Sequence, residues 1–187
     1  CVDDAEDADV IVHEYGHAIS ESAAPGSLTG LERNAIEEGN SDYFASSYSR
    51  KLNEFSWDKI FTWDGHNTCW AGRNTKSVKC YPNDLSGDYY VSAEIWSSTL
   101  MQIWEDIGGD TTDILLYKSM YGYSINMTMT DAAKLFLQAD TDLFAAVHAS
   151  KIYLRFSNRG IFDTCIISAM AETSKKPDRE LLFENPV

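Results

Sequence analysis

The chain has 187 residues, of which 44% are hydrophobic, so it is long enough and apolar enough to bury a core as one domain. Its 29 acidic residues outnumber its 15 basic residues, which leaves a net charge of −14 at pH 7. This charge repels phosphate backbones and anionic lipid, and no apolar run reaches the roughly 20 residues of a membrane span, so we expect neither nucleic acid nor a membrane as a partner.

Apolar residues recur every three or four positions in the first quarter of the chain, which predicts two helices. The first runs from Ala8 to Ser22 and is broken by the turn at residues 24–26. The second is capped by Thr29 and continues to about Leu52. From residue 53 to about residue 89 the periodicity is lost, which predicts a long functional loop.

Helical spacing returns at Ala93 and stops at Gly108 and Gly109, which predicts a third helix. Three later segments begin near a Thr or Asp and carry helical spacing, at residues 110–121, 130–138 and 142–156. Beyond residue 163 we expect an irregular or extended end. The expected fold class is therefore mainly α, a helical bundle with one long irregular loop, forming a single domain over residues 1–187.

The four cysteines, at positions 1, 69, 80 and 165, allow three disulfide pairings. Pairing Cys69 with Cys80 closes a short loop, worth about 3 kcal/mol in the chain-entropy account, and would staple the long loop. No CxxC pair indicates a metal knuckle, and four reduced thiols are the alternative. Disulfides predict an oxidising compartment, so we expect a secreted or periplasmic protein.

His13, Glu14 and His17 form an HExxH motif within the first predicted helix. The four-residue spacing places both imidazoles on one helix face, about 5–6 Å apart at Cβ, where they can bind one zinc ion. Glu14 points toward the same cavity and is the candidate general base that takes a proton from a zinc-bound water. The alternative is an ordinary polar helix face, so a third ligand decides between the two.

A third ligand is expected in the second helix, if that helix returns antiparallel to the first. His17 lies about five residues before the end of the first helix, and about seven positions into the second the chain is back at a similar depth. That position is Glu38, which completes a two-His, one-Glu site typical of catalytic zinc. Asp42 follows one turn later and can accept the free ring N–H of a ligating histidine, with a solvated aspartate as the alternative. Glu37 faces about 100° away from Glu38 and is interpreted as a bystander.

The segments 13–20 (HEYGHAIS) and 37–45 (EEGNSDYFA) resemble the gluzincin metallopeptidases, above all the fungalysin family and more distantly thermolysin. Further segments resemble fungalysin blocks in the same order, at residues 7–12, 93–96, 131–140 and 156–160. The resemblance implies the helical catalytic subdomain of a thermolysin-like peptidase. It also implies a zinc-dependent endopeptidase that acts on proteins or peptides, in which Glu14 passes the water proton to the leaving amine.

The chain departs from that family in two places. The family has a histidine four residues before the glutamate of the third helix, which stabilises the oxyanion, and here that position is Tyr90. A tyrosine hydroxyl can donate the same hydrogen bond, so we expect Tyr90 to be catalytic, with Tyr89 second and aromatic packing as the alternative. The family also has a β-rich N-terminal half, so we expect this chain to be the C-terminal half of a longer peptidase, partnered by that subdomain or by a propeptide.

Two other functions stay open at this point: a catalytically silent module that keeps zinc and binds a protein, and a non-peptide amide hydrolase. Arg33 and Arg73 are candidates for binding a substrate carbonyl or carboxylate, although single arginines are usually surface residues. Asp9 lies one turn before His13, where thermolysin-like enzymes carry a calcium ligand. Ca²⁺ is therefore a second candidate cofactor beside Zn²⁺.

Overall fold

A computed structural model describes residues 3–53 and 55–165, and these are mainly helical, as expected. After a short 3-10 helix at Asp4–Glu6 come six α-helices: α1 (Ala8–Ala23), α2 (Leu31–Leu52), α3 (Tyr89–Ile107), α4 (Gly109–Met120), α5 (Met129–Phe144) and α6 (Ala149–Asn158). Between α2 and α3, the strands β1 (Lys59–Ile60) and β2 (Arg73–Asn74) pair antiparallel. No helix among the described residues has the length and apolar character needed to cross a membrane.

Helix α2 lies at the centre of the described fold, with α1 packed on one side and α3 on another. It is buried on most sides between Arg33 and Ser47, although many of these residues are polar. Buried polar groups must find partners inside the protein, and Asn40 does so by accepting a 2.7 Å hydrogen bond from the indole of Trp96 on α3. Trp96 in turn stacks on Phe156 of α6, with ring centroids 5.4 Å apart. The central helix therefore presents its polar side chains to neighbouring helices rather than to solvent.

Helix α2 begins without the predicted Thr29 cap. Gly30 takes the cap position and makes no side-chain hydrogen bond, with φ at +110°, a conformation that favours glycine. The carbonyl of Thr29 accepts a 2.7 Å hydrogen bond from the backbone N–H of Asn126. A Cβ at Gly30 would lie 3.0 Å from the Cα of Asn126, so glycine allows the loop after α4 to pack on the start of α2.

The break between α5 and α6 lies later than predicted. Helix α5 continues to Phe144, and the chain then turns through Ala145 and Ala146, which both have positive φ. Asp140 holds this turn, because one carboxylate oxygen accepts from the backbone N–H of His148 at 3.0 Å and the other lies 2.8 Å from its Nδ1. The turn thus depends on a tertiary contact that helical periodicity does not encode.

The long segment between α2 and α3 is fastened to the end of the described chain. Cys80 is bonded to Cys165, 85 residues later, so the expected Cys69–Cys80 bond is wrong. The segment around Cys80 lies against the end of α6, where Nη1 of Arg159 donates to the carbonyl of Ser77 at 2.7 Å. Cys69 is also disulfide-bonded, and none of the described cysteines is free. Most of the irregular end expected beyond residue 163 lies outside the described residues.

Candidate metal centre

The HExxH motif and Glu38 meet where α1 packs on α2. The Nε2 atoms of His13 and His17 are 3.1 Å apart. The carboxylate of Glu38 lies beside both, with Oε2 3.3 Å from Nε2 of His13 and Oε1 3.6 Å from Nε2 of His17. Three side chains that can ligate a metal therefore form a triangle, called here the ligand triangle.

The ligand triangle has the dimensions of one face of a zinc site. Ligand atoms at roughly 2.0–2.1 Å from a tetrahedral zinc ion lie about 3.3–3.4 Å from one another. The two Nε2 atoms are 3.1 Å apart, and the nearest Glu38 oxygens, a different one for each ring, lie 3.3 and 3.6 Å from them, so the three side chains approach that spacing. Imidazole nitrogen and carboxylate oxygen are also donor types that zinc accepts. The side chains as folded could therefore hold a divalent metal ion.

Glu14 lies beside the ligand triangle but farther out. One of its carboxylate oxygens is within 4.8 Å of a ring nitrogen of both His13 and His17, so these three residues alone form a group that could hold a metal ion. Each Nε2 has an oxygen of Glu38 within 3.6 Å, so Glu38 is also a candidate third ligand. The side chain of Glu14 is exposed and forms no hydrogen bond with the described part of the chain, so its carboxylate is available to water or substrate.

His13 is oriented by Asp42, one turn beyond Glu38 on α2. Its Nδ1 lies 2.9 Å from Oδ1 of the fully buried Asp42, where the sequence placed an acceptor for the free ring N–H. In the neutral form of the ring, this hydrogen bond holds the proton on Nδ1 and leaves the lone pair on Nε2, the atom that faces Glu38 and His17. Arg73 of β2 secures Asp42 by donating two hydrogen bonds of 2.8 Å, from Nε and Nη2.

The surrounding charges govern the protonation of His13. Burial acts to lower the pKa of His13, but the hydrogen bonds to Asp42 and Glu38 outweigh it and raise the pKa to about 9. Burial acts to raise the pKa of Asp42, yet the His13 ring and the Arg73 guanidinium hold that pKa below its ordinary value. A metal ion that binds His13 at neutral pH must therefore displace a proton.

His17 has a different carboxylate partner, Glu37. Its Nδ1 lies 3.1 Å from Oε1 of Glu37, which is buried. The other oxygen of Glu37 accepts a 2.7 Å hydrogen bond from Nη1 of Arg33. The interpretation of Glu37 as a bystander is therefore wrong. The 100° that separates Glu37 from Glu38 around α2 brings the two carboxylates to opposite nitrogens of the same imidazole.

The long segment before α3 supplies one wall of the site. The guanidinium of Arg73 lies over the ring of Phe61 at 4.8 Å and over the ring of Tyr90 at 5.3 Å. The Phe61 ring also contacts the His13 ring, with centroids 5.3 Å apart. Nη2 of Arg73 lies 3.3 Å from Oε2 of Glu38. Arg73 is thus packed into the site and paired with its carboxylates instead of lying on the surface.

Tyr90 lies in the first turn of α3 and is 43% exposed. Its hydroxyl accepts a 3.3 Å hydrogen bond from the hydroxyl of Tyr89. This hydrogen bond and partial burial raise the pKa of Tyr90 to about 12, and the charge of Glu38 acts in the same direction. The hydroxyl of Tyr90 is therefore protonated at neutral pH and able to donate a hydrogen bond.

Two open cavities adjoin the site. One, of about 460 Å³, is lined by residues that include His17, Glu38 and Tyr89. The other, of about 470 Å³, is lined by residues that include Arg73 and Tyr90. The residues of the site therefore contribute to two separate spaces, each large enough for side chains of a bound peptide.

Asp9, the candidate calcium ligand, has protein donors on both carboxylate oxygens. Oδ1 accepts from the hydroxyl of Ser49 at 2.6 Å, and Oδ2 accepts from the backbone N–H of Phe61 at 3.1 Å. These bonds fasten α2 and the long segment to the start of α1. In residues 3–53 and 55–165 the group that could hold a metal is at the HExxH motif, and Asp9 is not part of it.

Comparison with known proteins assigns the chain to no family: no protein-family model matches it, and no curated protein matches it. The resemblance to gluzincins therefore depends on the two motif segments and on the way the fold brings them together.

Proposed function

We propose that the chain is a zinc-dependent metalloendopeptidase of the gluzincin type, which hydrolyses peptide bonds in proteins. The observation that supports this most strongly is the ligand triangle of His13, His17 and Glu38, with edges of 3.1 to 3.6 Å. Three protein ligands leave one tetrahedral position for water or substrate, which is the arrangement of catalytic rather than structural zinc sites. A secreted protein is part of this proposal, with the Cys80–Cys165 disulfide as weak support.

The chemistry is divided between the metal and three side chains. His13, His17 and Glu38 would hold the zinc ion, which would supply Lewis acidity toward the scissile carbonyl and a water. Glu14 takes a proton from the attacking water and delivers it to the leaving nitrogen, so a C–O bond forms and the C–N bond breaks. Tyr90 donates a hydrogen bond to the oxyanion, and Tyr89 is its hydrogen-bonded neighbour.

The surroundings of the ligand triangle suit an extended peptide substrate. The two cavities meet different site residues, with His17 lining one and Arg73 the other, so substrate residues on both sides of the scissile bond have space to bind. Arg73 keeps Asp42 ionised and in place, and its guanidinium also borders the second cavity, where it can meet a substrate carbonyl. This arrangement favours cleavage within a chain over removal of single terminal residues.

The test is hydrolysis of casein, an unstructured protein, by the zinc-loaded chain. Glu14→Gln should keep one zinc per chain and lose at least about 100-fold in rate, because it removes the general base but none of the ligand triangle. Glu6→Gln is the matched control, since Glu6 is an exposed glutamate that lies outside the metal-holding group and lines neither cavity. It should cleave at the parent rate.

Full activity of Glu14→Gln would contradict the assignment of the base. Zinc binding without cleavage of casein by the parent chain would favour the silent binding module. Cleavage of small amides but not of casein would favour the non-peptide amide hydrolase.

A further inference from the structure

We propose that Glu37 is a positioning residue for the metal centre: it orients His17 and, through its negative charge, strengthens the binding of the metal. The inference depends on the metal site of the proposed function but not on peptide hydrolysis. Its starting point is the 3.1 Å contact between Oε1 of Glu37 and Nδ1 of His17. That contact places the proton of the neutral imidazole on Nδ1 and the lone pair on Nε2, the atom that faces the ligand triangle.

The two histidines are held in the same way by different carboxylates. His13 presents Nδ1 to Asp42 at 2.9 Å and His17 presents Nδ1 to Glu37 at 3.1 Å, and their Nε2 atoms are 3.1 Å apart. Each carboxylate is buried and each pairs with an arginine, Asp42 with Arg73 and Glu37 with Arg33. A carboxylate on the outer ring nitrogen fixes the ring and makes the ligating nitrogen more basic. Both ligating rings therefore receive this support.

Glu37 is itself fixed in position. Its Oε2 accepts hydrogen bonds from the hydroxyl of Ser20 at 2.6 Å and from Nη1 of Arg33 at 2.7 Å, which leaves Oε1 directed at His17. Nη2 of Arg33 is held by the hydroxyls of Ser20 and Ser27 at 3.3 and 3.1 Å. These contacts lock the rotamer of Glu37, so the position of Oε1 beside His17 does not depend on the metal.

Ser41 is the competing partner of His17. Its hydroxyl oxygen lies 3.2 Å from Nδ1, close enough to accept the ring proton in place of Glu37. A hydroxyl is neutral, whereas the carboxylate of Glu37 adds a charge that attracts a cation. Zinc affinity together with the Co²⁺ spectrum distinguishes the two partners, because loss of the Glu37 carboxylate leaves the ring held and the spectrum unchanged only if Ser41 is the acceptor.

The test uses two variants and one control in the full chain. Glu37→Gln keeps an acceptor for His17 and removes the charge. The double variant Arg33→Met with Glu37→Leu removes the acceptor together with both buried charges, so neither charge is left unpaired. Glu21→Gln is the control, because Glu21 borders the same cavity but is not among the described hydrogen-bond or ion-pair partners of His17. Zinc dissociation constants come from competition with a chromogenic chelator, and the visible absorption of bound Co²⁺ reports the ligand geometry.

We expect the double variant to bind zinc about 10- to 100-fold more weakly and to show an altered Co²⁺ spectrum, the range typical for loss of an outer partner. Glu37→Gln should show most of the parent Co²⁺ spectrum, because the amide oxygen still holds the ring. It should bind zinc more weakly than the parent, because it removes the negative charge of Glu37 and leaves that of Arg33 unpaired. Glu21→Gln should bind zinc within about twofold of the parent.

A double variant with the parent zinc affinity and Co²⁺ spectrum would overturn the proposal and leave Ser41 as the partner. Equal weakening in Glu21→Gln and Glu37→Gln would also overturn it, since the effect would then be general charge. Tight zinc binding without casein cleavage refutes the proposed function alone. A parent chain that binds no zinc refutes both.

Discussion

Replacing Gly16 with alanine should weaken metal binding, because it pushes α1 and α2 apart next to His17. Gly16 immediately precedes His17 on α1 and is buried against α2. A Cβ added there would lie 2.8 Å from the hydroxyl oxygen of Ser41 and 3.0 Å from its Cα. The hydroxyl can rotate away, but the Cα belongs to the backbone of α2. The two helices must therefore move apart by about 0.4 Å to reach an ordinary contact of 3.4 Å.

Two opposing effects set the stability of Gly16→Ala. Overpacking costs about 1–3 kcal/mol, and alanine in place of glycine inside a helix contributes about 1 kcal/mol in the other direction. We therefore expect the free energy of unfolding to fall by about 1 kcal/mol. Zinc affinity should respond more strongly than the free energy of unfolding, because His17 and Glu38 lie on the two helices that separate. A shift of about 0.4 Å exceeds the roughly 0.2 Å tolerance of ligand distances, so zinc affinity should fall by about tenfold.

The measurements are urea unfolding of the chelator-treated protein and chelator competition for zinc. Gly87→Ala is the control, since a Cβ at Gly87 meets no described atom within 4 Å and should leave both quantities unchanged. An increase in the stability of Gly16→Ala with unchanged zinc affinity would refute the reasoning, because it would mean that the helices accept the methyl group without moving.

Two further predictions concern stability. Replacing Cys80 and Cys165 with serine opens a loop of 85 residues and should lower the free energy of unfolding by about 4–5 kcal/mol, as measured by urea titration under non-reducing conditions. Hydrogen bonds from Arg155 hold the pKa of Asp106 below its ordinary value. The pair therefore stabilises the fold at pH values above the ordinary pKa of an aspartate, and this stabilisation is lost as the pH falls through the depressed pKa. Asp106→Asn should therefore lower the melting temperature slightly at pH 7, and this shift should be smaller at pH 2. Equal melting-temperature shifts at both pH values would contradict this.

Local sequence patterns predict the helices well where the periodic apolar residues of a segment form its buried face. Helix α1 matches the predicted span to within a residue or two, and α3 begins one turn earlier than predicted, at Tyr89. Prediction fails where a contact outside the helical pattern determines the local structure. The turn after Phe144 depends on Asp140 and His148, and the partner of Cys80 is set by the contact of its segment with the end of α6. Neither contact leaves a periodic signal in the sequence.

The residues of the candidate site also differ in how well the sequence predicts them. Residues on the two helices could be placed from spacing, because a four-residue step puts His13 and His17 on one face and depth along α2 selects Glu38. Arg73 could not, because it comes from a loop whose path no periodicity describes. Glu37 escapes prediction for another reason, since its 100° offset from Glu38 around α2 turns it away from the metal but toward the outer nitrogen of His17. The sequence signal for Glu37 is Arg33, four residues earlier, because a buried Arg–Glu pair at this spacing indicates a helix face that points inward.

The charges of the centre explain why this group of side chains suits a divalent cation. Glu37 and Asp42 are buried but each has its own arginine, Arg33 or Arg73, so these pairs are neutral. The carboxylates of Glu14 and Glu38 then leave two negative charges beside two imidazoles. A proton on His13 offsets one of them, in line with its pKa of about 9, whereas a divalent metal ion offsets both. The arginines thus hold the outer carboxylates in place and leave the inner charge for the metal to neutralise.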